Sequence, residues 1–311
     1  MAMPNFLIIG AGKSGTTSLY HYLKQHPEVY MSPVKEPKFF ALEGKTLDFR
    51  GPSDDAHMNR KSVTDIGAYQ ALFRGVSNEK AVGEASTLYL YSPEAPARIK
   101  HYLPQAKLIA ILRNPADRAF SSYLHCIRDR GEPLGDFAQA LREEEGRIRN
   151  GWGPIWHYKN VGFYSEQLER YFDAFGHDQI KVFLYEDLKG DPVGVLKHIL
   201  RFLGVDDTRL PDISLKHNIS GVPRSRLLHE LLNTPNPIKS AFRPLLPAKL
   251  RKRFNHNLTD RNLLRPQLSP ETRRRLIETY TEDILKVQGL IDRDLSRWLE
   301  GHENLGHLDA P

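Results

Sequence analysis

Short apolar runs recur along this chain, separated by longer stretches whose apolar residues return every three or four positions. Phe6-Leu7-Ile8-Ile9, Ala81-Val82-Gly83-Glu84, Lys107 to Leu112 and Gln179 to Leu184 have the length and turn-bounded apolar character expected of buried strands. Thr16 to Gln25, with Leu19, Tyr22 and Leu23 on one stripe, predicts a helix, as does Phe163 to Phe175 with Leu168, Tyr171 and Phe172. Further helices are expected over Tyr69 to Phe73, from near Pro93 and Glu94, from Pro115, over Pro192 to Leu203, and as one long element over residues 270 to 300. A polar stretch around Pro33 and Pro37, and Gly44 to Asn59, read as loops. Strands alternating with helices predict an α/β fold with a central, mainly parallel β-sheet flanked by helices. With no internal repeat and no linker, residues 1–311 read as a single domain whose basic, helical carboxy-terminal part begins at about 225.

Composition narrows this picture only a little. The 311 residues include 44 Lys and Arg against 38 Asp and Glu, a formal charge of +6 that favours anionic partners without choosing among them. Cys126 is the only cysteine, which excludes an intramolecular disulfide and a cysteine-based zinc site. The amino terminus has no basic, apolar leader, and no apolar run approaches the roughly 20 residues needed to span a bilayer, so the expected location is the cytoplasm.

The chemistry concentrates after the first strand. Gly10-Ala11-Gly12-Lys13-Ser14-Gly15-Thr16-Thr17-Ser18 joins a strand to a helix, so its backbone N–H groups and the helix start form an anion cradle, and the domain reads as P-loop-like. Gly10 and Gly15 keep the glycine spacing of the mononucleotide loop G-x-x-x-x-G-K-[ST], but Thr16 stands where that loop has its lysine. Lys13 sits inside the loop instead, beside a shorter 5′ group than a triphosphate. A second feature closes the strand Leu108 to Leu112: Arg113, followed by Pro115, Arg118 and Ser121. An arginine leaving the carboxyl end of a strand points into the crevice where α/β folds bind ligands, and its planar fork suits a phosphate.

These residues resemble the sulfotransferases that use 3′-phosphoadenosine 5′-phosphosulfate (PAPS). The stretch Phe6 to Phe40 carries the likeness most closely, with Lys13-Ser14-Gly15-Thr16-Thr17-Ser18 in the loop and Lys35-Glu36-Pro37-Lys38-Phe39-Phe40 after it. It is similar to bacterial members related to the heparan sulfate enzymes. The resemblance implies that Gly12, Lys13, Ser14, Gly15, Thr16, Thr17 and Ser18 grip the 5′-phosphosulfate, with Lys13 assisting the leaving phosphate. It implies that Arg113 and Ser121 read the 3′-phosphate. A third segment, Ser220, Gly221 and Arg224, reads as an anion-binding turn, and in similar bacterial enzymes it covers the nucleotide. The expected reaction moves a sulfuryl group from PAPS to a hydroxyl or amine, releasing adenosine 3′,5′-bisphosphate, with no metal required by the motifs.

Three residues are candidates for the base. Glu36 holds the place of a glutamate the resemblance implies is catalytic, with Lys38 standing where some relatives have histidine. Glu84 follows, though Ala85 replaces a lysine that relatives often have next to it. His125 is third, since the ordinary histidine pKa near 6.5 suits base catalysis. The acceptor is left open among small molecules such as natural products, lipids, sugars and carrier-bound acyl chains. Lys239, Lys249, Arg251, Lys252, Arg253, Arg261, Arg265 and Arg273-Arg274-Arg275 could meet an anionic acceptor or a membrane surface, the alternative being a solvated helical face. Nucleic acid is not an expected partner, because no recognised module accompanies this charge. Trp152, Trp156 and Tyr158 suit packing better than an acceptor pocket, and Tyr185-Glu186-Asp187 suits structure better than chemistry. Two other readings are a small-molecule kinase, opposed by the displaced lysine, and a non-catalytic nucleotide- or sulfated-glycan-binding protein.

Overall fold

Every side chain of the first strand is buried, and the helices are placed to cover both of its faces. The computed structural model describes residues 2–214, 221–224, 263–264 and 266–300. Its elements begin with β1 (Phe6–Gly10), α1 (Thr16–Leu23), β2 (Val29–Met31), α2 (Phe39–Leu42), α3 (Ile66–Ala71), β3 (Ala81–Ala85), α4 (Leu88–Tyr91), α5 (Ala95–Tyr102), β4 (Lys107–Leu112) and α6 (Pro115–Asp129). There follow α7 (Phe137–Arg142), α8 (Glu144–Arg149), α9 (Ser165–Ala174), β5 (Ile180–Leu184), α10 (Tyr185–Gly190), α11 (Pro192–Leu203), β6 (Val222–Pro223), β7 (Leu263–Leu264), α12 (Pro270–Ile291) and α13 (Ser296–Leu299).

The first five strands make one parallel sheet in the order β2-β3-β1-β4-β5, with β1 at its centre. Side chains alternate across it with the two-residue period of a strand. Leu7, Ile9, Leu108, Ala110 and Leu112 join the core that includes Tyr89, Ile99, Ala116, Leu168 and Tyr280. Phe6, Ile8, Ile109 and Ile111 join the core built with Leu19 and Leu23 of α1 and Leu196, Ile199 and Leu200 of α11. Each buried Leu or Ile stabilises the sheet by about 1.5–3 kcal/mol relative to exposure. Gly83 is required by this packing, because a Cβ there would lie 2.3 Å from the ring of Phe6.

The four expected strands are present and parallel. β2 escaped notice because three residues give too short a run to register as alternation. The long terminal helix ends at Ile291, where Asp292 takes a left-handed conformation (φ 49°), and α13 follows as a separate turn. Asp65, accepting from the Ala68 N–H at 2.8 Å, starts α3 ahead of the apolar stripe that predicted it. Within the expected loop, Asp55–Asn59 forms one turn of π-helix.

Candidate active site

The turn between β1 and α1 is shaped by two left-handed residues, Lys13 (φ 69°) and Gly15 (φ 90°). Only glycine fits the second, since a Cβ there would meet Leu188 Cδ2 at 2.8 Å. α1 starts without a side-chain cap, and the N–H groups of a helix's first turn have no acceptor within the helix. Gly12, Lys13, Gly15, Thr16, Thr17 and Ser18 line a cavity of about 1140 Å³ at the carboxyl edge of the sheet. Ser14 departs from expectation: its side chain is fully buried, its hydroxyl has no hydrogen-bond partner, and it is absent from the cavity wall. The turn faces Ser14 inward, so its side chain is not a donor to a ligand there. Burial, reinforced by the charges of Arg128 and Arg113, brings the Lys13 ammonium down to a pKa of about 8.

Arg113 follows β4, the strand paired with β1, and so emerges beside the loop. Its guanidinium donates from Nη1 to the carbonyl of Lys13 at 3.1 Å and stacks 4.7 Å over the Tyr185 ring. The Tyr164 hydroxyl donates to the Arg113 carbonyl at 3.0 Å. Asn114 caps α6 and Pro115 opens it, which turns Ser121 toward the same cavity as Arg113. Arg118, almost wholly buried, lines the cavity as well and donates to the Tyr158 carbonyl. Tyr185 is therefore part of the site, as the platform beneath Arg113, and not only the end of a strand.

The described residues of the third expected segment, Gly221 and Arg224, are not brought to the cavity wall. Gly221 is buried and Arg224 exposed, and neither lines the cavity. β6 is engaged in an antiparallel pair with β7 and packs against α6, which holds this segment beside the helix. Ser220 lies outside the described residues.

The three candidate bases have different surroundings. Glu36, with left-handed backbone (φ 63°), lines the cavity. Its Oε1 accepts from Lys35 Nζ at 2.8 Å and from the Thr87 hydroxyl at 3.1 Å, and its Oε2 from the Thr87 N–H at 2.9 Å. Burial pushes this carboxyl up, but Lys35 and Lys38 hold it below the usual range, so it stays ionised. Glu84 does not line the cavity: β3 turns it into the core, where Oε1 accepts from the hydroxyls of Tyr89 at 2.5 Å and Tyr69 at 3.2 Å. Burial raises its pKa to about 7. Glu84 is thus corrected from candidate base to buried core carboxyl. His125 lines the cavity, with Nδ1 2.9 Å from Asp129 Oδ2. Burial outweighs Asp129 and brings it to about 4, so the ring is neutral near pH 7.

The remaining walls come from residues without a sequence signature. Thr87, Leu88 and Tyr91 enter from the segment after β3, Met58, His57 and Lys61 from around the π-helical turn, and Arg130 from the end of α6. The aromatic segment packs as expected: Trp156 and Tyr158 are fully buried, and the Arg147 guanidinium lies over Trp152, Trp156 and Tyr158. Its neighbours Pro154 and Ile155 nevertheless reach the cavity. Of the basic carboxy-terminal residues, Arg273 pairs with Asp117, Arg275 with Glu271 and Arg274 with Glu278. Lys239, Lys249, Arg251, Lys252, Arg253, Arg261 and Arg265 lie outside the described residues. Among the described residues no helix is long and apolar enough to cross a membrane.

Known proteins are similar to this chain over most of its length. The solved sulfotransferase from Alicyclobacillus acidocaldarius is 37% identical and superposes with a TM-score of 0.77, covering 96% of this chain and 100% of its own. The bifunctional heparan sulfate N-deacetylase/N-sulfotransferase 4 of Mus musculus is 32% identical over 212 residues, 65% of this chain and 22% of that protein. The mouse heparan sulfate glucosamine 3-O-sulfotransferase 3B1 is 28% identical over 204 residues, 65% of this chain and 46% of that enzyme. The chain thus spans less than half the length of these two curated relatives. The model of the sulfotransferase family matches residues 4–209, and with the fold and the loop in agreement the chain belongs to that family.

Proposed function

We propose that this protein transfers the sulfuryl group of PAPS to a hydroxyl or amine. The observation that carries the donor assignment is the bond from Arg113 to the carbonyl of Lys13, which sets a candidate 3′-phosphate reader beside the 5′ loop in one cavity. Its volume of about 1140 Å³ exceeds the roughly 300–1,000 Å³ usual for a single small ligand, so donor and acceptor fit together.

In this reading the first turn of α1 and the hydroxyls of Thr16, Thr17 and Ser18 hold the 5′-phosphosulfate, while Arg113 and Ser121 hold the 3′-phosphate. The acceptor oxygen or nitrogen attacks sulfur in line, and a bond forms as the bridging S–O bond to the phosphate breaks. The charge gathering on that phosphate oxygen meets the Lys13 ammonium. The proton lost by the acceptor passes to Glu36, whose carboxylate is fixed by Thr87 and stays ionised through neutral pH. His125, neutral and also at the wall, is the alternative proton acceptor.

Calorimetric titration with adenosine 3′,5′-bisphosphate, set against ATP with Mg²⁺, tests the donor assignment. The bisphosphate should bind tightly and ATP weakly, and Arg113→Ala should cost the bisphosphate far more affinity than adenosine 5′-phosphate. A preference for Mg-ATP would replace this reading with a kinase. Tight bisphosphate binding without turnover of labelled PAPS in the presence of acceptors would leave a non-catalytic binding protein.

A further inference from the structure

Glu36 and Lys38 stand on a strap between β2 and α2, and both take left-handed backbone, at φ 63° and 61°. Residues with a Cβ disfavour that region, and it persists only where neighbouring groups fix the chain. Three hydrogen bonds to the strap backbone do so here, one for each residue. The Glu36 N–H donates to the Ala85 carbonyl at 2.9 Å, and the Pro37 carbonyl accepts from the Val63 N–H at 2.9 Å. The Lys38 N–H donates to the Ser86 hydroxyl at 2.9 Å. Of the three, only this last bond ends on a side chain.

Ser86 is fully buried and absent from the cavity wall. Its own N–H donates to the Ile8 carbonyl of β1 at 3.1 Å, and its carbonyl accepts from the Tyr89 N–H at 3.2 Å. Ser86 is thereby tied to the strand that leads into the phosphate loop. Its neighbour Thr87 completes the hold on Glu36, giving the carboxylate its N–H at 2.9 Å and its hydroxyl at 3.1 Å. Thr87 also adjoins the loop, since a Cβ on Gly12 would lie 3.5 Å from its Oγ1. One short run, Ala85-Ser86-Thr87, therefore grips the strap by its backbone, the carboxylate by its oxygens and β1 through Ser86.

Resting on the proposed role of Glu36 as proton acceptor, we infer that Ser86 is a positioning residue for the reaction. Its hydroxyl pins the left-handed turn at Lys38 and so aims the Glu36 carboxylate from behind, without touching substrate. Alanine at this position removes the acceptor and leaves the Lys38 N–H unpaired, which favours a relaxed turn. Glu36 keeps its own backbone bond to Ala85, so the change falls first on Lys38. Burial raises the Glu36 carboxyl, and Lys35 and Lys38 together hold it down. With the Lys38 ammonium drawn away, burial gains, and Glu84, the carboxyl whose own pKa Glu36 helps to raise, pushes in the same direction.

Amide hydrogen exchange and an NMR titration of the glutamate carboxyls in Ser86→Ala test this, and neither needs an acceptor. The Lys38 amide should exchange about tenfold faster than in wild type, as the loss of one hydrogen bond allows. The Glu36 amide, bonded to a carbonyl, should keep its protection. The Glu36 carboxyl, assigned by its absence from Glu36→Gln, should titrate at higher pH than in wild type. A hydroxyl that serves packing alone would quicken the amides of β1 and β3 as much as that of Lys38 and leave the carboxyl where it was, and that result overturns the inference. Ser86→Cys, close in volume but a weak acceptor, should show the same two changes and decides the matter where the alanine variant does not fold. Release of labelled sulfate from PAPS to water links the hold to the chemistry. Ser86→Ala should slow release about tenfold, as a small misplacement of a catalytic group does, with the affinity for adenosine 3′,5′-bisphosphate unchanged. It should slow release no further in a Glu36→Gln background, and equal slowing in both backgrounds also overturns the inference. Release unchanged in Glu36→Gln alone strikes the base assignment instead. With or without release, the Lys38 amide and the Glu36 carboxyl then decide whether Ser86 holds the strap.

Discussion

Lys13 joins a left-handed backbone, a buried ammonium and two arginine neighbours, and these fix what it can do. A pKa of about 8 leaves it charged at neutral pH but ready to lose its proton not far above. If the ammonium stabilises the leaving phosphate, kcat/KM for the donor should be level near pH 7 and fall as pH rises through about 8, which a pH–rate profile would show. Lys13→Ala should lower transfer by roughly 10²–10³, as removing one donor to a developing charge commonly does. The fold should not suffer. Because the folded pKa is depressed, the unfolded chain binds more protons between about 8 and the ordinary 10.5, so burying the charge weakens the fold below pH 8. That cost is relieved as pH rises from 8 to 10.5, and the alanine variant escapes it. A melting temperature at pH 7 well below wild type would refute this account. Lys13 and Arg113 were legible in the sequence because each follows a recognised strand, whereas Glu36 follows β2, which escaped notice, and was singled out only by the resemblance carried by Lys35 to Phe40. Glu84 misled because β3 is buried on both faces, and hydrophobic alternation then does not say which side a carboxylate takes.

At the scale of elements, the segment around the π-helical turn and the aromatic segment 152–158 were opaque as sequence, having neither period. One buried carboxylate ties them together: Asp54 accepts from the N–H groups of Gly51 at 2.9 Å and Gly153 at 2.7 Å and from Trp156 Nε1 at 3.0 Å. The pairing joins residues about a hundred positions apart, beyond the reach of any local pattern. Residues beside this tie, Met58 and His57 from one segment and Pro154 and Ile155 from the other, line the cavity. Asp54→Ala strands three buried donors and should destabilise the protein by roughly 3 kcal/mol or more, measured by denaturant unfolding. It should raise KM for the acceptor more than for the donor, because the phosphate loop and Arg113 stand on β1 and β4 and do not depend on this tie. Equal losses for both substrates would contradict that division.

For the molecule as a whole, the parallel sheet and its two helical layers were readable because central strands of this kind are continuous apolar runs. β1 and β4 then place the glycine-rich turn after β1 and Arg113 together at the carboxyl edge of the sheet. A ligand there bridges β1, β4, α1 and α6, so it should bind the folded chain alone. Adenosine 3′,5′-bisphosphate at about 100 times its Kd should add about 2.7 kcal/mol of stability. For a chain of 311 residues that is a rise in Tm of roughly 4 °C by calorimetry. Arg113→Ala should shrink the rise, and a Tm unmoved by saturating bisphosphate would count against the donor site.

The bond from Arg113 to the Lys13 carbonyl reaches further than the site it helps to build. It makes the turn after β1 and the end of β4 a single mechanical part, so a change of length in either displaces the other. Under the proposed reaction, nucleotide choice and help to the departing group would therefore be coupled, so a substitution that shifts one of these two segments should disturb both.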